Sequence, residues 1–123
     1  MVVAGCLGAG SGGTPVEITH SDQIAGSYRA EGTNPPDNGT KYMGDVVVSG
    51  QADTSVRVSW AILGDRWTGI GTINNEGELF VTYTGAFSGS GTWVLRSDGN
   101  LYGTWEQAGI DGTGTEVWYR NSP

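Results

Sequence analysis

The chain has 123 residues, the usual size of one domain, and 22 of them are glycine. Its apolar fraction of 37% is too small for a thick helical core, but five Trp, five Tyr and two Phe supply enough apolar area for a thin-walled β structure. A net charge of −7 excludes a surface that follows nucleic-acid phosphates and disfavours an anionic membrane surface. The single cysteine excludes an internal disulfide framework.

Residues 1–23 are predicted to form a flexible N-terminal tether, because small residues dominate its first half. Within it, Glu17–Ile24 holds at most a turn or one helical turn. The run Val3-Ala4-Gly5-Cys6 resembles a bacterial lipobox, in which the cysteine becomes acylated. That resemblance implies lipidation of Cys6 and a basic and apolar signal segment encoded upstream of it. The alternative is an ordinary flexible terminus with an incidental cysteine.

The remaining residues, 24–123, alternate between short apolar segments and clusters of Gly, Asn, Asp and Pro. Such clusters favour hairpin turns, and Asp98-Gly99 is the sharpest signal among them. Eight segments spaced roughly 8–12 residues apart are typical of a β-sandwich or a β-barrel. The predicted strands are Ile24–Glu31, Lys41–Ser49, Thr54–Leu63, Arg66–Ile73, Glu78–Thr84, Gly91–Arg96, Leu101–Gln107 and Thr115–Arg120.

The short connections predict that consecutive strands pair in antiparallel order. An eight-stranded meander closes naturally into a barrel, since closure removes both exposed edges. We therefore predict a single all-β domain, an eight-stranded antiparallel up-and-down barrel, with a β-sandwich as the alternative.

Alternation along the strands predicts which side chains face the lumen. The clearest pattern places Val56, Val58, Trp60 and Ile62 on one face. Glycines share faces with the large aromatic residues, which suits a small barrel that must bend sharply and admit an indole from across the lumen. A packed core is one interpretation of these aromatic residues. The other is a ligand pocket lined by Tyr28, Tyr42, Trp60, Trp67, Tyr83 and Trp105.

The first and last strands resemble those of the calycins, the superfamily of lipocalins, fatty-acid-binding proteins and avidins. In calycins a Gly-x-Trp of the first strand packs across the closed end of the barrel, and an arginine of the last strand covers it. Here Gly26-Ser27-Tyr28 and Arg120 occupy the matching places, with Tyr28 in place of the tryptophan. Avidins bind biotin through an Asn and a Ser at the positions of Ala30 and Asn34, so biotin binding is not expected.

The span from Gly26 to Glu116, about three quarters of the chain, also resembles a family of small exported bacterial domains. The resemblance rests on motifs that include Glu31-Gly32-Thr33-Asn34-Pro35, Trp67-x-Gly69-x-Gly71 and Asp98-Gly99-x-Leu101-x-Gly103-x-Trp105. It implies an exported β-barrel in the periplasm, outside the cell or anchored to a bacterial membrane by lipid. It implies no chemistry.

Catalytic and metal-binding residues are sparse. His20 has only distant carboxylates for partners, and Cys6 has no base to orient it, so neither metal binding nor nucleophilic catalysis is predicted. Glu106, Asp111 and Glu116 could in principle supply the paired carboxylates of a glycosidase, but acidic loop residues are common on such a protein. We predict no cofactor and no metal, and the sequence favours a non-enzymatic protein.

Glu116 can face either way. Side chains of a strand alternate between its two faces. If Gly112 and Gly114 face the lumen, then Glu116, Trp118 and Arg120 also face it. If the alternation is the opposite, Val117 and Tyr119 are buried instead. A buried carboxylate must be paired or protonated. An inward Glu116 is therefore expected to form a structural salt bridge, with Arg120, Arg96 or Arg29 as the available partners.

Together these features favour a non-enzymatic exported binding module with a small apolar or flat ligand in the barrel mouth. The alternative is a surface domain that contacts another protein and has a packed lumen. A lumen cavity of roughly 300 Å³ or more would favour the ligand, and a filled lumen the protein partner. Trp67, Tyr83 and Trp105 are predicted to share one rim, because they lie at strand ends that meet there.

Overall fold

The computed structural model describes residues 13–36 and 39–121, which form a closed β-barrel. Strands β2 to β9 pair antiparallel in chain order, and β9 pairs back with β2. The predicted barrel is confirmed, and all eight predicted strands are present. The strands are β1 (Pro15–Val16), β2 (Gly26–Thr33), β3 (Lys41–Ala52), β4 (Ser55–Ile62), β5 (Asp65–Ile73), β6 (Leu79–Gly85), β7 (Gly89–Arg96), β8 (Leu101–Gln107) and β9 (Gly114–Arg120).

The two-residue strand β1 was not predicted, and it lies within the segment assigned to the tether. Pro15 and Val16 pair with Arg96 and Leu95, at the end of β7 that extends beyond its pairing with β6. The first strand of the barrel begins two residues later than predicted, at Gly26. Residues 1–12, and with them the predicted lipidation site Cys6, lie outside the described residues.

One end of the barrel is covered by a short 3-10 helix at Ser21–Gln23. The buried side chains of Ile18 and Ile24 flank this helix and join the core. Backbone hydrogen bonds tie the cover to two turns: Ile18 donates to the Gly77 carbonyl (2.9 Å) and Ser21 to the Asp53 carbonyl (2.8 Å). This cover makes one end of the lumen closed.

Arg120 completes the closed end. Its guanidinium lies 4.9 Å from the ring centre of Tyr28 and donates to the carbonyls of Ala25 (3.2 Å) and Gln23 (2.9 Å). The calycin resemblance implied this contact between the first and last strands, and Arg120 and Tyr28 make it. Tyr28 itself is fully buried and donates its hydroxyl to the Ile24 carbonyl at 2.6 Å.

Large aromatic side chains fill the lumen next to this cover. Trp93 and Trp118 stack with ring centres 4.6 Å apart, and both are almost fully buried. Glycine makes the necessary space: a Cβ on Gly103 would lie 2.6 Å from the Trp93 ring. The shared faces of glycine and aromatic residues in the sequence therefore reflect close approach across the lumen.

No helix in residues 13–36 and 39–121 is long and apolar enough to cross a membrane. The same residues contain no cluster of three or more His, Cys, Asp or Glu side chains that could hold a metal ion.

Candidate functional site

A cavity of about 140 Å³ opens at the end of the barrel opposite the 3-10 helix. Its rim is formed where β2, β4, β6 and β8 end and the strands that follow them begin. The volume is below the roughly 300 Å³ that was expected to favour a ligand, and the lumen is not filled either, so neither of the two predicted outcomes is met. The lining residues are Asn34, Tyr42, Trp60, Ile62, Leu63, Asp65, Trp67, Tyr83, Phe87, Trp93, Trp105 and Glu116.

Five of the six residues predicted to bind a ligand line this cavity: Tyr42, Trp60, Trp67, Tyr83 and Trp105. Tyr28 does not, because it faces the lumen at the closed end. Trp67, Tyr83 and Trp105 share one rim, as the strand directions predicted.

Phe87 is one of the lining residues that were not among the six predicted for the pocket. It lies in the turn between β6 and β7, where no alternation marks an inward position; a lone aromatic residue among glycines and serines was the only signal. Its ring stacks on Trp105 at 5.9 Å and 16°, and meets Trp67 edge-on at 5.2 Å. Phe87 thus covers part of the rings of Trp67 and Trp105, two residues that were predicted to line the ligand pocket.

The other rings of the mouth meet at steep angles. The ring centres of Trp60 and Tyr83 lie 5.7 Å apart and their planes meet at 63°. The corresponding values are 6.4 Å and 70° for Tyr83 and Trp105, and 6.2 Å and 71° for Tyr42 and Trp105. Edge-to-face pairs of this kind are favourable because the positive edge of one ring meets the negative face of the other. Their different tilts form an aromatic wall around the cavity.

Glu116 faces the lumen and is only 4% exposed, so the inward parity of β9 is confirmed for Glu116 and Trp118. Three neutral donors from three strands hold its carboxyl group. The Tyr42 hydroxyl donates to Oε1 at 2.6 Å, while the Trp60 and Trp118 indoles donate to Oε2 at 2.7 Å and 2.5 Å.

The predicted salt bridge of Glu116 is wrong. Among the described residues, Arg29 pairs with Glu31 at 2.9 Å, Arg96 donates to the Gly13 carbonyl at 3.1 Å, and Arg120 is exposed at the closed end. Aromatic hydrogen-bond donors replace the expected cation, because the lumen around β9 is built from indoles and a phenol rather than from arginine.

Burial raises the pKa of Glu116 above its usual value, and the hydrogen bonds from Tyr42, Trp118 and Trp60 oppose that rise. Burial, and then the neighbouring Glu116, raise the pKa of Tyr42. Tyr42 therefore keeps its proton at neutral pH and acts as a donor to the carboxyl group.

Two indole groups of the cavity wall have polar atoms without a partner. Within the described residues, the buried Nε1 atoms of Trp67 and Trp105 make no hydrogen bond. Buried donors usually have a partner, so these two indole groups are exceptions among the buried polar groups of the cavity wall.

The remaining candidates for chemistry do not join the cavity. Glu106 and Asp111 are exposed, so neither stands beside Glu116 as the second carboxylate of a glycosidase. His20 caps the 3-10 helix, where its Nδ1 accepts from the Asp22 amide at 3.1 Å. Its place at the closed end separates it from the mouth.

No protein-family model and no curated protein matches the sequence. Several solved structures match the fold. A redesigned β-barrel superposes with a TM-score of 0.71 at 15% identity over 85% of this chain and 97% of its own. A de novo designed fluorescence-activating β-barrel superposes with a TM-score of 0.70 at 12% sequence identity. The match covers 85% of this chain and 99% of the designed barrel. A redesigned β-barrel bound to DFHBI superposes with a TM-score of 0.67 at 15% sequence identity. The match covers 80% of this chain and 99% of the redesigned barrel. At these identities the likeness establishes the fold.

Proposed function

We propose that this protein is a non-enzymatic binding module that holds one small, largely apolar ligand in the mouth of the barrel. The observation that carries the proposal is the cavity of about 140 Å³, walled by aromatic rings and open at one end only. Concave apolar sites with a few polar groups are the usual form of small-ligand sites. Glu116 and Asp65 in the lining supply those polar groups.

The size of the cavity sets the size of the ligand. An apolar cavity of roughly 150 Å³ is enough to hold benzene. The ligand is therefore a single ring, or a group of similar bulk, rather than an extended lipid or a fused multi-ring compound. That barrels of similar fold are found bound to DFHBI supports a ligand site in this architecture.

Binding of single-ring probes tests the proposal through tryptophan fluorescence. Phenol and toluene should shift or quench the emission and raise the melting temperature. Trp105→Ala should abolish the response, because it removes a wall of the cavity. Phe80→Ala is the matched control, since it also removes an aromatic ring, but from the exposed outer face of β6. A wild-type protein that responds to none of a broad panel of apolar and aromatic probes contradicts the proposal.

We also propose that the domain is exported and anchored through Cys6. The support is the lipobox-like run Val3-Ala4-Gly5-Cys6, together with the resemblance to exported bacterial domains. The full-length gene, expressed in a bacterial host, should incorporate labelled palmitate, and Cys6→Ser should abolish incorporation. An unlabelled wild-type protein in the cytoplasm contradicts this proposal and leaves the ligand site unaffected.

The alternative, a surface that contacts another protein, has weaker support. Met43, Val47, Ile70 and Phe80 are exposed apolar residues of the outer wall. They lie at different heights on three strands, and single exposed apolar residues are normal on soluble domains.

A further inference from the structure

We infer that the mouth binds a small organic cation, of which a trimethylammonium group is the simplest example. The aromatic wall would surround the cation, and Glu116 at the inner end of the cavity would supply the opposite charge. This inference rests on the proposed function, because it names the class of ligand for the same cavity.

The aromatic wall is the first argument. Cations are attracted to the negative faces of indole and phenol rings, and several rings around one site are a known solution for quaternary ammonium groups. In the mouth, Tyr42, Trp60, Tyr83 and Trp105 meet at angles between 63° and 71°. Rings tilted in this way form the walls of a cage around one centre.

The charge of the lining is the second argument. The cavity has two carboxyl groups in its wall, Glu116 and Asp65, and its lining contains no lysine or arginine. Lys41 and Arg66 lie at the same rim but are exposed and do not line the cavity. The chain as a whole carries a net charge of −7. The resulting potential attracts cations and repels anions.

The unpaired state of Glu116 is the third argument. Its carboxyl group is buried among neutral donors, and in the described residues no cation contacts it. Burial without a counter-charge disfavours the ionised carboxylate, and a positive charge beside Glu116 would stabilise it, so a cationic ligand gains an attraction that a neutral ligand of the same shape lacks. A trimethylammonium group is also comparable in bulk to the single ring that fits the cavity.

The deciding experiment compares two ligands that differ in charge and hardly in shape. Choline and 3,3-dimethylbutan-1-ol, its neutral analogue with carbon in place of nitrogen, are titrated by calorimetry into the full chain near neutral pH at constant ionic strength. We expect choline to bind at least about tenfold more tightly, because desolvated cation–π contacts and the carboxylate act on the cation alone. Sodium chloride at the same concentration should give no binding signal.

The role of Glu116 is tested with Glu116→Gln, which suits the site. The amide oxygen can accept from both indoles, and the amide nitrogen can donate to the Tyr42 hydroxyl. This variant should weaken choline binding about tenfold and should weaken binding of the neutral analogue, which carries no charge, by much less. Glu106→Gln is the matched control: it removes the same charge from the exposed face of β8 and should bind choline like the wild type.

The outcomes separate this inference from the function on which it rests. Equal affinities for choline and its neutral analogue overturn the inference that the ligand is a cation and leave the proposal of a small-ligand site intact. Binding of neither, together with no response to apolar and aromatic probes, overturns both. A folded Glu116→Gln variant that binds choline like the wild type overturns the assignment of Glu116. The wild-type comparison needs no variant, so it decides the ligand class even if Glu116→Gln does not fold.

Discussion

At the scale of single residues, Glu116 is the most consequential side chain of the lumen. It joins three strands through its hydrogen bonds to Tyr42 on β3, Trp60 on β4 and Trp118 on β9. Its main-chain carbonyl also accepts from the Trp93 indole at 3.1 Å. A polar group with all these partners specifies how the surrounding rings must be arranged.

The raised pKa of Glu116 predicts a pH-dependent stability. Between the usual pKa of a glutamate and the raised value, the folded chain holds a proton that the unfolded chain has released. The free energy of unfolding should therefore fall as pH rises through this window and level off above it. Because the other acidic residues also titrate, the comparison must be with Glu116→Gln, which lacks this contribution.

Urea unfolding of both proteins from pH 4 to pH 8 measures this effect. The stability of the wild type minus that of Glu116→Gln should decrease with rising pH. Parallel pH profiles would show that Glu116 titrates alike in the folded and unfolded chains.

At the scale of elements, the β6–β7 hairpin controls how much of the mouth is open. Its turn carries Phe87 against Trp67, Tyr83 and Trp105. The turn contributes no other residue to the cavity, and Phe87 is half-buried and packs against the edge of the core.

Phe87→Ala should enlarge the mouth and widen the range of ligands. Removal of the ring frees the face of Trp105 on which it stacks, so a two-ring probe such as naphthalene should bind at least about tenfold more tightly than to the wild type. Fluorescence titration measures the change, and Phe80→Ala should not reproduce it. Loss of the folded structure in Phe87→Ala would instead identify Phe87 as part of the core.

At the scale of the whole molecule, much of the fold was predictable because its signals are local. Alternation and turn residues located eight strands, and short connections implied closure. Alternation places Tyr28 inside without stating at which end, so Tyr28 was included in the predicted pocket although the calycin resemblance put it at the closed end. Phe87 lies in a turn, where alternation has no meaning, and β1 is too short to produce a pattern. The partners of Glu116 come from distant segments and depend on the closed register.

The strand β1 shows at which end of the barrel the N-terminal segment joins it. Pro15 and Val16 fasten to the end of β7, and Ser97 donates to the Thr14 carbonyl at 2.9 Å, all at the closed end. The chain therefore enters the barrel on the side away from the cavity. An attachment made through the segment before residue 13 would therefore be connected to the closed end of the barrel and not beside the residues that line the mouth.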